Sequence, residues 1–210
     1  MSTTPDFFLD ADHPGVVAFA REHGGGLEPR PAAVALFYAI RDGWRYDPWH
    51  VTDQPAAFKA STVLARDPRY GHCIDKAVLL AASCRALGIP ARLHFADVRN
   101  HVGTARLEAV LGTDLLVYHG YTEVELGGRW VATTPAFNRG LCEKLGVATL
   151  EWDGEEDAIF QAYDREAGAF MEYVTDHGAH DTVPMEAMLA AWRRHYPERY
   201  VSGGFQRANG

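Results

Sequence analysis

The sequence predicts an α+β fold, because stretches with helical periodicity stand near both ends of the chain and a strand-rich stretch stands between them. The clearest helix covers residues 71–90, where apolar residues recur every three or four positions until Gly88 and Pro90. The clearest β-structure covers residues 115–134, where two runs rich in strand-forming residues flank Gly127-Gly128. Such a glycine pair is a strong signal for a two-residue turn, so an antiparallel hairpin is expected.

The other elements follow from weaker signals. Residues 13–23 and 31–42 have amphipathic helical patterns, and each is followed by glycine. A short helix is predicted over residues 56–64, and a strand over residues 91–96 directly after the long helix. Near the C terminus, a helix is expected from about residue 181 to about residue 195, with an apolar face formed by Met185, Met188, Leu189 and Trp192.

The turn at Gly127-Gly128 also predicts the register of the hairpin. If Leu126 pairs with Arg129, then Tyr121 lies opposite Thr134. Thr134 then becomes a diagonal neighbour of His119 on the same face of the sheet, within reach of a polar side chain.

Composition and charge limit the partners of this chain. With 47% hydrophobic and 23% charged residues, no repeat and no linker, residues 1–210 are interpreted as one globular domain. The net charge of −8 disfavours nucleic acid and anionic membranes as partners, since both require clustered Lys and Arg. The N-terminal residues lack a signal-peptide pattern and no apolar run reaches a membrane-spanning length, so the expected location is the cytoplasm. The oligomeric state stays open.

Three cysteines at wide spacing argue against a disulfide scaffold. Cys84 falls on the apolar stripe of the long helix and Cys142 in an ordinary short helix, so both are interpreted as packing residues. Cys73 falls at the start of the long helix, where unpaired N–H groups and the helix dipole favour an anion. We therefore expect its thiolate to form more readily than that of an ordinary cysteine, which makes Cys73 the candidate nucleophile.

Three groups of residues, in this order, resemble the transglutaminase-like superfamily. They are Gly71-His72-Cys73 at the start of a helix that ends Leu-Gly-Ile-Pro-Ala-Arg, His119 on a strand followed by Glu123-Val124, and Arg129-Trp130-Val131 on the next strand. The resemblance, to bacterial members in particular, implies the papain-like cysteine proteinase (transglutaminase core) fold, in which the cysteine helix packs on an antiparallel sheet. It implies a core at about residues 31–135 with N-terminal helices, and a C-terminal helical extension at about residues 137–210.

One position departs from the family pattern. The second strand of the family usually reads Trp-Val-x-x-Asp-Pro, with the aspartate orienting the histidine, whereas this chain has Thr134 at the aspartate position. A hydroxyl can also fix a histidine tautomer, although a charge-assisted hydrogen bond is about twice as strong. Thr134 is therefore the first candidate for orienting His119, and Asn138 the second. The usual His-Ala-Trp triplet is also changed, to His119-Gly120-Tyr121.

The resemblance implies thiol chemistry on an amide of a peptide or protein. Cys73 attacks the carbonyl, His119 accepts the thiol proton and returns it to the leaving amine, and the thioester passes its acyl group to water or to an amine. The Cys73 backbone N–H is expected to bind the oxyanion, with a second donor from His72 or the aromatic loop before it, and Tyr121 is a candidate binding residue. No cofactor is expected, and no metal site, because the cysteines and histidines lack ligand spacing.

Two functions of different classes remain open. The first is a cysteine hydrolase or acyltransferase, either a peptidase or amidase or a transglutaminase-like enzyme, and it is favoured by the presence of both Cys73 and His119. The second is a catalytically silent domain that binds peptide or mediates an interaction, and it is favoured by the threonine at position 134.

Overall fold

The computed structural model describes residues 6–49, 51–100, 113–159, 171–196, 200–201 and 204–205. The helices are α1 (Pro14–Gly24), α2 (Pro29–Gly43), α3 (Ala60–Leu64), α4 (Cys73–Ala86), α5 (Arg139–Leu145) and α6 (Met185–His195). The strands are β1 (Arg45–Tyr46), β2 (Tyr70–Gly71), β3 (Ala91–Asn100), β4 (Leu115–Leu126), β5 (Arg129–Thr133), β6 (Met171–His180), β7 (Tyr200–Val201) and β8 (Gly204–Phe205). This mixed content confirms the α+β class.

The central sheet is antiparallel, with the strand order β5-β4-β3-β6. The hairpin between β4 and β5 has the predicted register, since Leu126 pairs with Arg129 and Thr122 with Thr133. Strand β3 is longer than the predicted strand over residues 91–96, because it is bonded to β4 on one side and to β6 on the other. Strand β6 was not predicted from the sequence, and it corrects the expectation that the C-terminal extension is helical, since it adds a strand to the central sheet.

Helix α4 lies between the sheet and the other helices. It contacts α1, α2 and α3 as well as β3 and β4, so every residue from Ile74 to Cys84 is buried. The prediction of a single buried stripe was therefore wrong. Because all sides of α4 are buried, its polar side chains need hydrogen-bond partners. Lys76 Nζ, for example, donates to the carbonyls of Arg41 (2.8 Å), Trp44 (2.9 Å) and Ala136 (2.8 Å).

Strand β4 approaches the start of α4 closely at Gly120. A Cβ atom at this position would lie 3.1 Å from Ile74 Cγ1 and 3.1 Å from Phe95 Cε1. Such distances are tighter than ordinary van der Waals contacts, so the absence of a side chain lets β4 pack against the first turn of α4. This contact brings the residues around Gly120 close to Cys73.

The C-terminal helix α6 packs against β4. Its predicted apolar face is buried, since Met185, Met188, Leu189 and Trp192 are all buried residues. The short helix predicted over residues 56–64 is divided, because a 3₁₀ turn (Pro55–Phe58) precedes α3. Among the described residues, no helix has both the length and the apolar character needed to cross a membrane.

Candidate active site

Cys73 is the first residue of α4, and His72 caps the helix. His72 Nδ1 accepts hydrogen bonds from the backbone N–H groups of Ile74 (3.2 Å) and Asp75 (3.4 Å), while the His72 N–H donates to Asp75 Oδ2 (3.1 Å). Arg66 holds the same carboxylate at 2.7 Å. Because the His72 N–H is already bound, the structure corrects the expectation that it donates to an oxyanion: His72 fixes the start of α4.

His119 lies on β4 directly after an irregularity in the strand. The register between β3 and β4 shifts opposite Asp97, and Tyr118 has a left-handed backbone with φ of 59°. Asp97 Oδ1 accepts from the Tyr118 N–H (2.9 Å) and is hydrogen-bonded to His177 Nε2 (2.7 Å), and the Tyr118 and His177 rings stack at 4.0 Å. These contacts hold the bulge from which the His119 side chain leaves the strand.

Cys73 and His119 line the same pocket, which has a volume of about 80 Å³. Three other parts of the chain line the pocket: the loop around β1, the first residues of β4, and the C-terminal helix with the residue after it. The lining residues from these parts are Tyr46, Pro48, Trp49, Val51, Leu116, Val117, Tyr118, Trp192 and Tyr196, together with His72 and Ile74 beside Cys73. The structure therefore brings together the predicted nucleophile and the predicted base.

Burial shifts the pKa of both reactive groups toward their neutral forms. Burial raises the pKa of the Cys73 thiol to about 11, although the backbone N–H groups of Gly120 and Ile74 act in the opposite direction. This direction is opposite to the one expected from the helix start, since loss of hydration at the half-buried Cys73 outweighs the effect of the helix start. Burial, followed by the nearby His72, lowers the pKa of His119 to about 4.

Neither candidate for orienting His119 is bonded to it. Thr134 Oγ1 and both ring nitrogens of His119 are buried without a hydrogen-bond partner among the described residues. Asn138 Oδ1 instead accepts from the backbone N–H of Tyr46 at 3.0 Å. The structure thus corrects the assignment of Thr134 and Asn138 as residues that orient His119. Asn138 holds the strand that carries Tyr46, and Thr134 makes no bond to the imidazole.

Replacing Thr134 by valine is expected to leave the free energy of unfolding unchanged or to raise it by about 1 kcal/mol, because the lost hydroxyl is buried and unpaired. Thr122→Val is the matched control, since Thr122 Oγ1 donates to the Ala77 carbonyl at 3.0 Å and the loss of this bond should cost about 0.5–1.5 kcal/mol. Urea denaturation measures both. A loss at Thr134 as large as that at Thr122 would show that the Thr134 hydroxyl has a partner.

Tyr121, a candidate binding residue, is not among the described residues that line the pocket. Its ring stacks on that of His94 at 4.7 Å, and it packs with Ala96, Val98 and Phe137 in a second apolar cluster. This contradicts a direct binding role at Cys73 and gives Tyr121 a packing role. The sequence could not distinguish the two, because the register fixes a face of the strand but not what covers it.

The pocket also contains aromatic residues that the sequence did not assign. Parallel pairing of Tyr46 with Gly71 brings the loop that carries Tyr46 and Trp49 beside the start of α4. Trp192 and Tyr196 come from α6 and the residue that follows it. For Tyr46 and Trp49, the only sequence signal of a role in the pocket was the aromatic content of the stretch after Tyr46. For Trp192 and Tyr196, the sequence contained no such signal.

The other cysteines lie outside this pocket. Cys84 is fully buried in α4, and burial raises its pKa to about 12. Cys142 is buried in α5 with its sulfur 4.0 Å from the Phe137 carbonyl. Within the described residues, no group of three or more His, Cys, Asp or Glu side chains is arranged to hold a metal ion.

Residues 17–135 match the family model of the transglutaminase-like superfamily, which is more than half of the chain. The chain belongs to the transglutaminase-like superfamily. Cys73, His119 and Thr134 lie inside the matched range of this transglutaminase-like chain, whereas α5, β6 and α6 follow it.

Two solved structures similar to this transglutaminase-like chain are both described as proteases. A "putative cysteine protease" from Cytophaga hutchinsonii is 19% identical, with 84% of this chain and 52% of that chain covered and a TM-score of 0.45. A "putative protease" from Parabacteroides distasonis is 16% identical, with 62% and 26% covered and a TM-score of 0.39. This chain thus matches about half of the first protein and a quarter of the second. No curated protein matches it.

Proposed function

We propose that this chain is a thiol-dependent amide hydrolase or acyltransferase that acts on a peptide or protein through a thioester at Cys73. The observation that carries the proposal is the shared pocket of Cys73 and His119. Membership of the transglutaminase-like superfamily supports the same class of enzyme. The peptide or protein substrate is inferred from the family, and the acceptor is water or an amine.

The reaction begins with two neutral groups. His119, whose pKa of about 4 keeps it unprotonated at pH 7, accepts the Cys73 thiol proton as the sulfur attacks the carbonyl. His119 then gives this proton to the leaving amine as the C–N bond breaks, and the thioester remains. Water or an amine, deprotonated by His119, attacks the thioester, and the proton returns to the sulfur as the C–S bond breaks.

The start of α4 provides one donor for the oxyanion. The Cys73 N–H is at the first helical position, where no intrahelical carbonyl can accept it. A second donor from the aromatic loop before the helix stays a prediction, since the Trp49 N–H of that loop already donates to Asp47 Oδ1 at 3.0 Å. Loss of one such donor typically lowers kcat about a hundredfold or more.

The alternative is a catalytically silent domain that uses the pocket for binding peptide. It is favoured by the unpartnered imidazole, the raised thiol pKa and the threonine at position 134. A silent domain would keep the pocket but would not form a thioester.

The test is acylation of Cys73 by p-nitrophenyl acetate at pH 7, followed by release of nitrophenol and by mass spectrometry of the labelled peptide. We expect acetylation of Cys73, none in Cys73→Ala, and a rate lowered about a hundredfold to ten-thousandfold in His119→Ala. Cys142→Ala is the matched control, because Cys142 is buried away from the pocket. Added methylamine distinguishes the acceptors, since a transferase forms N-methylacetamide and a hydrolase forms acetate.

Two results would contradict the enzyme. The first is nitrophenol release that is the same in Cys73→Ala as in the unchanged protein. The second is acetylation of Cys73 that does not depend on His119, which is the behaviour of an ordinary thiol and of a silent domain.

A further inference from the structure

The C-terminal helix α6 closes one side of the pocket over Cys73. Trp192 Nε1 donates to the Val117 carbonyl at 2.9 Å. Tyr196 Oη accepts from the Val117 N–H at 2.7 Å and donates to the Leu115 carbonyl at 2.9 Å. Val117 lies two positions before His119 on β4. Its N–H and its carbonyl are therefore both bound by aromatic side chains from α6 and the residue after it.

This wall is closely packed and hydrogen-bonded. Trp192 and Tyr196 are only 5% and 3% exposed, and Met188 and Leu189 of the same helix are buried in the main core. Because the helix is anchored by packing and by three hydrogen bonds to β4, the two rings have fixed positions at the pocket. They lie outside residues 17–135, so this wall is additional to the part that matches the family.

The size of the pocket limits what it admits. Its volume is about 80 Å³, whereas an apolar cavity of about 150 Å³ is known to take up benzene. The space beside Cys73 is therefore about half of the cavity that takes up benzene, so it suits a short aliphatic chain better than an aromatic ring.

The lining also selects against charge. The described residues that line the pocket include five aromatic side chains and no Asp, Glu, Lys or Arg. A charged group placed there would lose part of its hydration and would meet no Asp, Glu, Lys or Arg among the described lining residues, which is unfavourable.

We propose that Trp192 and Tyr196 determine the acyl specificity of this site and restrict the part of the acyl group next to the thioester carbonyl to a short, uncharged aliphatic chain. This inference rests on the proposed thioester chemistry at Cys73. The acyl chain lies against α6 while its carbonyl carbon bonds to the sulfur.

The experiment compares kcat/KM for the p-nitrophenyl esters of butyrate, succinate and phenylacetate. In the unchanged protein we expect kcat/KM for the butyrate ester to exceed that for each of the other two esters by about tenfold or more. This is the scale typical of discrimination by pocket size. Trp192→Leu should raise the phenylacetate-to-butyrate ratio about tenfold, since it enlarges the pocket. Trp192→Phe keeps a ring there and should retain most of the preference.

Trp130→Leu is the matched control, because Trp130 is 40% exposed on β5 and does not line the pocket, so its ester preference should be unchanged. Phenylacetate as good as butyrate in the unchanged protein would overturn the inference, even if Trp192→Leu failed to fold. An unaltered ratio in folded Trp192→Leu would also overturn it. Failure of every ester to acylate Cys73 would instead contradict the proposed enzyme.

Discussion

Replacing Lys76 by methionine is expected to lower the free energy of unfolding by about 3 kcal/mol or more. The amino group of Lys76 is fully buried and donates to the carbonyls of Arg41, Trp44 and Ala136. Methionine has a similar length but no donor, so three carbonyls lose a partner, and each unsatisfied buried group costs about 1–3 kcal/mol. Burial lowers the pKa of Lys76 to about 7, so removing the amine also relieves a desolvation cost, but the three carbonyls outweigh it.

Urea denaturation at pH 7 measures this loss, and Lys144→Met is its control, because Lys144 is exposed on α5. We expect the control to change the free energy of unfolding by less than about 0.5 kcal/mol. A similarly small change at Lys76 would mean that the three carbonyls have other partners or that their hydrogen bonds to Lys76 contribute little.

Acid is expected to destabilise the protein through His119 by an amount on the order of 3 kcal/mol. Burial lowers the pKa of His119 from its ordinary 6.5 to about 4. Between pH 6.5 and pH 4 the unfolded chain therefore binds a proton at this residue that the folded chain does not, so stability falls as the pH falls through this window. Below pH 4 both states are protonated and the contribution becomes constant.

Urea midpoints between pH 4 and pH 7 measure this slope, and His119→Gln should reduce it, since glutamine does not titrate; carboxylates with a lowered pKa, such as Asp42 and Asp176, still contribute. His23→Gln is the control, because His23 lies at the end of α1 and outside the pocket. If His119→Gln and the unchanged protein lose stability in parallel as the pH falls, the imidazole is not held neutral by burial.

Local pattern was enough to place Cys73 and the hairpin. Gly71-His72-Cys73 and the spacing of apolar residues fixed the start of α4, and Gly127-Gly128 fixed the register of β4 with β5. Both depend on interactions between residues close in sequence, namely helix capping and a two-residue turn.

The same reasoning was wrong about the surroundings of these residues. It derived the pKa of the Cys73 thiol from the helix start alone. In the structure this pKa depends mainly on burial of the thiol by segments that are distant in sequence. It placed Asn138 near His119, whereas Asn138 bonds to the backbone of Tyr46. A side-chain partner depends on which segments meet, and chain neighbours do not determine that.

The sequence by itself thus determined the α+β class, the helix that begins at Cys73 and the strand that carries His119, because these follow from periodicity, turns and capping. Only the tertiary structure decided that the C-terminal helix would supply Trp192 and Tyr196 to the pocket and that α4 would be buried all round. The physical reason is that desolvation and pocket shape depend on contacts between distant segments. Those contacts determine the protonation of Cys73 and His119.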